Sequence, residues 1–244
     1  MSNWLNTRYE NVYAYIEAGI RVGELAPGAR IAGERKLADK LGMSRETVRQ
    51  GLDLAEQSGL IVRVPKRGTF VAQPRVNQDL GTMLTFGQTV RGLSMDPAYQ
   101  LNWKEQVQLD AQTAQRLGVA PDSEALEIEV IGLANGLPMA LYRSKLPKWV
   151  VEAIGDGAAW GSRASYELAA AALKLKSLNV SQEFEAITLP REIGQILRTR
   201  KATPGFMSMS VFSAPGGPPL EMRTAWYPGS RYRFSASRKV DLQG

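Results

Sequence analysis

The sequence predicts an α+β chain of two domains: a winged helix-turn-helix unit at residues 1–73, a linker at 74–80, and an antiparallel-sheet domain with helices at 81–244. Three observations predict it. In the first sixty residues apolar side chains recur at spacings of three and four, interrupted by single glycines. Beyond residue 80 the pattern changes to longer alternating runs joined by tight-turn signals. Positive charge also sits at one end: the first 75 residues carry twelve basic and eight acidic side chains, a net of +4 within the chain's +6. At 244 residues and 44% hydrophobic content, there is material for two modest cores.

The first helix is predicted over residues 9–22, where Tyr9, Val12, Tyr13, Ile16 and Ile20 form one apolar stripe that Gly23 ends. A turn at 25–28 and a short strand around Ile31 follow. Gly33 opens a second helix, 34–41, with Leu37, Ala38 and Leu41 inward. Gly42 suits the left-handed residue that closes this helix, and Ser44 suits the N-cap of a third, with Glu46 complementing its dipole. That helix runs to about Ser58, where Gly59 stops it. Val48, Leu52 and Ala55 face the core, and Arg45 and Arg49 share the opposite face. Residues 60–64 and 69–72 then form a hairpin whose tip, Pro65-Lys66-Arg67-Gly68, is cationic.

Any one of these cations, taken alone, is accounted for as a solvated surface charge. Together, in this order of elements, they suit a polyanion: the third helix fits a major groove, and Lys66 and Arg67 can reach adjacent phosphates. Leu25 to Arg30, then Gly33 to Ile61, "GERKLADKLGMSRETVRQGLDLAEQSGLI", with "KRGTFV" at 66–71, resemble the DNA-binding domain of the GntR superfamily. The resemblance implies operator contacts for Arg35, Ser44, Arg45, Thr47, Arg49 and Gly68. Gly33 departs from the usual Ser or Thr cap at little cost, since Gly caps nearly as well.

In the second domain, residues 126–133 alternate, Asn135-Gly136 is a preferred two-residue hairpin turn, and 138–146 return as the partner strand. Residues 206–212 and 220–227 repeat the arrangement around a Pro/Gly-rich turn. Each hairpin is preceded by an extended stretch and a short helix, 111–117 and 191–198, which predicts a pseudo-repeat building one antiparallel sheet. A longer helix is expected at 163–176. Glu221, Arg223, Ala225 and Tyr227 alternate and therefore share a face.

"TFGQTVRG" (85–92), "LANGLPMALYRSKLP" (133–147), "SQEFEAI" (181–187) and "PPLEMRTAWYPGSRYRF" (218–234) resemble the UTRA effector-binding domain of the HutC subfamily, a domain similar in fold to chorismate lyase. The resemblance implies a sensor that is usually homodimeric. It points to Thr85, Arg143, Tyr166 and Glu221 as effector contacts, with Tyr142, Arg223 and Tyr227 nearby. Two departures matter. Many sensors of phosphorylated sugars carry two arginines where this chain has Val130 and Gly132, and Tyr142 replaces an acidic residue.

Composition narrows the function further. The chain has no histidine and no cysteine, which removes the commonest general base, metal ligand and thiol nucleophile. An enzyme on the lyase-like sheet would have to work with Glu221 and an arginine alone, and would leave the helix-turn-helix unexplained. A ligand-independent architectural DNA-binding protein is the other alternative. No run reaches the ~18 apolar residues of a membrane span, and residues 1–9 lack the plan of a signal peptide. The expectation is therefore a cytoplasmic, homodimeric repressor of double-stranded operator DNA. It should have neither metal nor cofactor, and a small effector other than a sugar phosphate should release it.

Overall fold

The computed structural model describes residues 8–58, 60–65, 67–72, 75–155 and 157–239. Gly59, the expected helix stop, and Lys66, an expected phosphate contact, lie outside them. The chain divides into two compact units, Met1–Pro74 and Arg75–Gly244.

In the first unit α1 (Arg8–Arg21), α2 (Glu34–Leu41) and α3 (Arg45–Gln57) pack Val12, Ile16, Leu37, Val48 and Leu52 into a buried core. α1 crosses α3 very closely. A Cβ on Gly51 would lie 2.6 Å from the Tyr9 carbonyl and 2.5 Å from the Val12 side chain, so only glycine lets the backbones approach this far. Gly42 adopts φ +64 and its amide donates to the Ala38 carbonyl, which ends α2 and turns the chain into α3.

The hairpin is present as β1 (Ile61–Val64) and β2 (Gly68–Val71), with Ile61 opposite Val71. Residues 28–31 add a third, short strand to it: the Ile31 amide donates to the Thr69 carbonyl and the Gly28 amide to the Val71 carbonyl. The inner face contributes Ile31, Ile61 and Val71 to the core. Arg30, Val62 and Phe70 are level with one another on the outer face.

The segment 74–80 differs from the expected linker. Val76–Asp79 is a strand, β3, paired in parallel with β10 (Tyr232–Ser235), Val76 facing Tyr232 in register. Val76 is fully buried. Four mostly polar residues show no period, and the partner lies more than 150 positions away, so local sequence carried no sign of the pairing.

The second unit is built on one six-stranded antiparallel sheet of order β4-β5-β6-β9-β8-β7. Its first half is β4 (Pro97–Gln108), α5 (Ala111–Leu117), β5 (Glu124–Ala134) and β6 (Leu137–Pro147). The second half is β7 (Asn179–Thr188), α8 (Arg191–Ile196), β8 (Pro204–Ser213) and β9 (Pro219–Pro228). The two halves repeat the same order of elements and meet at the β6–β9 pair, where Ser144 lies opposite Arg223. Asn135 and Gly136 both take positive φ, +47 and +74, as a two-residue turn matched to strand twist demands.

Period-two alternation gives the sheet two different faces. α5 and α8 cover one: Ile193 and Leu197 pack on Ile131, Leu141 and Trp226, and Leu117 on Met222. The other face carries Val130, Tyr142, Ala225 and Tyr227. It lies beneath α4 (Phe86–Gly92), α6 (Lys148–Ile154), α7 (Ser165–Ala172) and the β3–β10 pair. α7 is shorter than the helix expected at 163–176. No helix among the described residues is long and apolar enough to cross a membrane.

Candidate functional site

Each unit carries one candidate site. In the first, Ser44 caps α3, its hydroxyl accepting from the Thr47 amide at 3.1 Å and lying 2.9 Å from the Thr47 hydroxyl. That pair fixes the start of α3 and the aim of the side chains that follow. Arg35, at the start of α2, and Arg45, the first residue of α3, are exposed and enter no ion pair among the described residues. Arg49 is also exposed and bonds Glu46 one turn back at 2.9 Å, a surface pair that competes only weakly with another anion.

The other cations of this unit divide by role. Arg63 lies against α3, bonded to Asp53 and, at 3.1 Å, to Glu56, so it braces the wing. Lys40 is held by the Tyr15 hydroxyl at 2.7 Å. Arg67 and Gly68 stand exposed at the wing tip, where Gly68 has φ +115. The structure thus presents Arg35, Arg45, Arg49, Arg67 and Gly68 at the surface, while Arg63 and Lys40 are engaged within the unit.

In the second unit a nearly filled cavity of about 30 Å³, room for about one water, lies on the α7-covered face of the sheet. Its walls are aromatic: Tyr99, Tyr142, Tyr166, Phe212 and Tyr227 surround the Arg223 guanidinium. That group lies over the rings of Tyr166, Tyr142 and Phe212 at 4.8, 5.0 and 5.3 Å from their centroids. Glu221, fully buried two residues earlier on the same face, bonds it at 2.7 Å, and Ser165 and Ser144 accept at 3.0 and 3.1 Å. Burial penalises the guanidinium's charge, but Glu221 and the tyrosines around it more than compensate, and its pKa stays raised. Burial likewise pushes the Tyr99 hydroxyl up to about 12 and Tyr142, Tyr166 and Tyr227 upward, so the walls offer neutral hydroxyls.

Three sequence-derived pocket residues stand elsewhere. Thr85 is the N-cap of α4, closing a capping box with Gln88, so its hydroxyl is used by the backbone. Arg143 is on the opposite face of the sheet. It follows Tyr142, and adjacent strand residues cannot face the same way. There it bonds buried Glu129 at 2.6 Å and lies over Trp226 and Trp103. Glu221 lies beneath the cavity as the counter-charge of Arg223 and does not line it. Tyr142, Tyr166, Arg223 and Tyr227 do line it. Sequence reasoning missed Tyr99 and Phe212. The register supplies both, since Phe212 lies opposite Glu221 and Tyr99 opposite Gly132.

Comparison with known families assigns the two units. Residues 8–71 match the model of bacterial regulatory proteins of the gntR family, and residues 93–233, more than half the chain, match the UTRA domain. The chain belongs to the UTRA-domain family, and its first unit matches the gntR-family DNA-binding domain. It is a ligand-responsive, DNA-binding regulator of transcription with a UTRA effector domain.

Among curated relatives of this regulator, the HTH-type transcriptional repressor NagR of Bacillus subtilis (strain 168) is 27% identical, over 93% of this chain and 92% of its own. The HTH-type transcriptional regulator Rv0792c of Mycobacterium tuberculosis is 26% identical, over 94% and 85%. Of solved structures, PhnF from Mycobacterium smegmatis superposes with a TM-score of 0.72 over 94% of this chain and all of its own. At 22% identity, that shows a shared fold.

Proposed function

We propose that this UTRA-domain regulator is a repressor that binds double-stranded operator DNA as a homodimer and releases it when a small, non-phosphorylated metabolite enters the cavity around Arg223. The observation that carries the reading is that cavity: an aromatic, nearly filled chamber with one charge-compensated guanidinium and neutral hydroxyls, in the unit that follows the helix-turn-helix. Such a chamber suits a compact ligand held by ring contacts and a few directed hydrogen bonds. Residues 1–73 act as the DNA reader. Residues 81–244 act as sensor and dimer contact, with strand β3 joined to the sensor. The protein works in the cytoplasm, without cofactor or catalytic step.

At the operator, α3 lies in the major groove with Arg45 against base edges, Ser44 and Thr47 fixing its start, and Arg35 and Arg49 flanking it. Lys66, Arg67 and Gly68 of the wing meet backbone. Arg45→Ala is expected to weaken binding by about 1–3 kcal/mol on the cognate operator and far less on random sequence. Lys66→Ala is expected to weaken both alike. Parallel titrations of both variants on cognate and random duplexes test this, and equal losses on the two DNAs for both variants reject α3 as the reader.

One winged helix spans one half-site, so useful specificity calls for two, about one helical turn or a multiple apart. The full-length chain, 26.8 kDa as a monomer, is therefore expected to sediment at twice that mass. Residues 1–75 alone are expected to stay monomeric. A full-length monomer at micromolar concentration removes the dimeric reading.

A further inference from the structure

The outer face of the wing holds a cation, at the end of the motif 25–30, to which the family resemblance assigns no operator contact. Arg30 lies on the short strand 28–31, level with Phe70 on β2, and so on the face of the hairpin turned away from the core. It is exposed and forms no ion pair among the described residues, unlike Arg63 on β1, beyond β2, which two carboxylates of α3 hold. Its guanidinium runs along the face to the wing tip. A Cβ on Gly68 would lie 3.1 Å from Arg30 Nε and 3.3 Å from Nη2, so the missing side chain of Gly68 is the space the guanidinium occupies. On the same face the Arg67 guanidinium lies 5.8 Å from the Phe70 ring centroid.

The result is an exposed surface on which two guanidinium groups flank a half-buried phenylalanine and a glycine without a side chain, with Val62, 44% exposed, behind them. Nothing acidic among the described residues pairs with either arginine. A planar fork with several donors, held flat on a sheet at a notch, matches the oxygens of a phosphate diester. We propose that Arg30 is a direct contact to the DNA backbone and that, with Arg67, it forms a two-cation clamp on the phosphates beside the groove that α3 enters. Gly68 then has two tasks at once. It supplies the φ of +115 that the tip needs and leaves the path along which Arg30 reaches the tip.

Phosphate contacts carry a signature that base contacts lack. They are independent of sequence, and each lowers the slope of log K against log salt by about 0.9. The proposal rests on the wing meeting DNA backbone, so the probe is a random-sequence duplex, which needs no knowledge of the operator. Affinity is measured for the full chain and for Arg30→Ala and Arg30→Lys between 50 mM and 300 mM salt, with thermal unfolding of each variant as a check that the wing is intact. Arg30→Ala is expected to lose about one contact from the slope and about fivefold in affinity at 0.15 M salt. Arg30→Lys, which keeps the charge, should keep the slope and lose less affinity. An unchanged slope in Arg30→Ala overturns the assignment. Equal losses in both variants also overturn it, because they would mark Arg30 as a packing residue. If the unsubstituted chain itself binds random duplex without salt dependence, the backbone-contacting wing fails as a whole, an outcome separate from the failure of Arg30.

Discussion

Glu221→Ala is expected to destabilise the second unit by about 3–5 kcal/mol, the usual cost of leaving one member of a buried ion pair without its partner. The geometry explains why the effect should fall at the large end. Glu221 is fully buried and Arg223 nearly so, the two share a face of β9, and no other carboxylate among the described residues pairs with Arg223. The hydroxyls of Ser144 and Ser165 hold the guanidinium in place but cannot neutralise it. The substitution also frees the Ser144 hydroxyl, which donates to Glu221 at 2.7 Å.

Desolvation is the dominant cost, and that makes the prediction two-sided. Replacing both members together, Glu221→Leu with Arg223→Met, removes both charges from the interior and should recover most of the loss. Four of the five tryptophans, Trp103, Trp149, Trp160 and Trp226, lie in the second unit, so denaturant unfolding followed by tryptophan emission reads its stability. A cost below about 1 kcal/mol for Glu221→Ala, or a double variant as unstable as the single one, would show that the pair is not the electrostatic unit described here.

Much of the reading head was legible in the sequence because its rules are local. A glycine after Leu41 in α2, a serine before Arg45 in α3, and apolar spacings of three and four each act within one or two turns, and together they leave little choice of structure. The pseudo-repeat of the second unit was legible for the same reason: strand, short helix and hairpin recur with their own turn residues. The site inside that unit was less so. Whether Tyr142 or Arg143 faces the cavity depends on which side of the sheet α7 packs, and β6 is largely buried on both faces, so alternation alone does not choose. Thr85 shows a different limit. Its motif is real, but the hydroxyl serves the helix backbone. The β3–β10 pair joins residues 76 and 232, and Arg30 reaches Gly68 on the adjacent strand β2; both are facts of three-dimensional register with no trace in spacing.

Sugar phosphates are expected to bind at least about a thousandfold more weakly than their dephosphorylated counterparts. Bringing a dianion into the cavity without a new countercharge costs several kcal/mol, and about 4 kcal/mol corresponds to that factor. The countercharge is missing for three separate reasons. Arg223 already carries the opposite charge of Glu221, so the pair is neutral overall. Arg143 is on the other face of the sheet, bonded to Glu129.

The third reason lies on β5, where Val130 and Gly132 stand at the places that many sensors of phosphorylated sugars give to arginine. A Cβ on Gly132 would already sit 3.0 Å from Phe86 and from Tyr142, so no longer side chain fits there without moving both rings. The cavity as it stands admits about one water, so any effector must displace side chains from its wall. Met83 and Leu84, on the segment between β3 and α4, are 37% and 48% exposed and are the least buried groups in that wall. A neutral ring that stacks on the tyrosines offsets that displacement by burying apolar surface, whereas a phosphate adds a desolvation cost to it. Calorimetric titration of the full chain with sugar phosphates and with their dephosphorylated counterparts measures the difference. Micromolar binding of a phosphorylated sugar, with its dephosphorylated form inert, would refute the expectation and require an anion site that Arg223 and Glu221 do not provide.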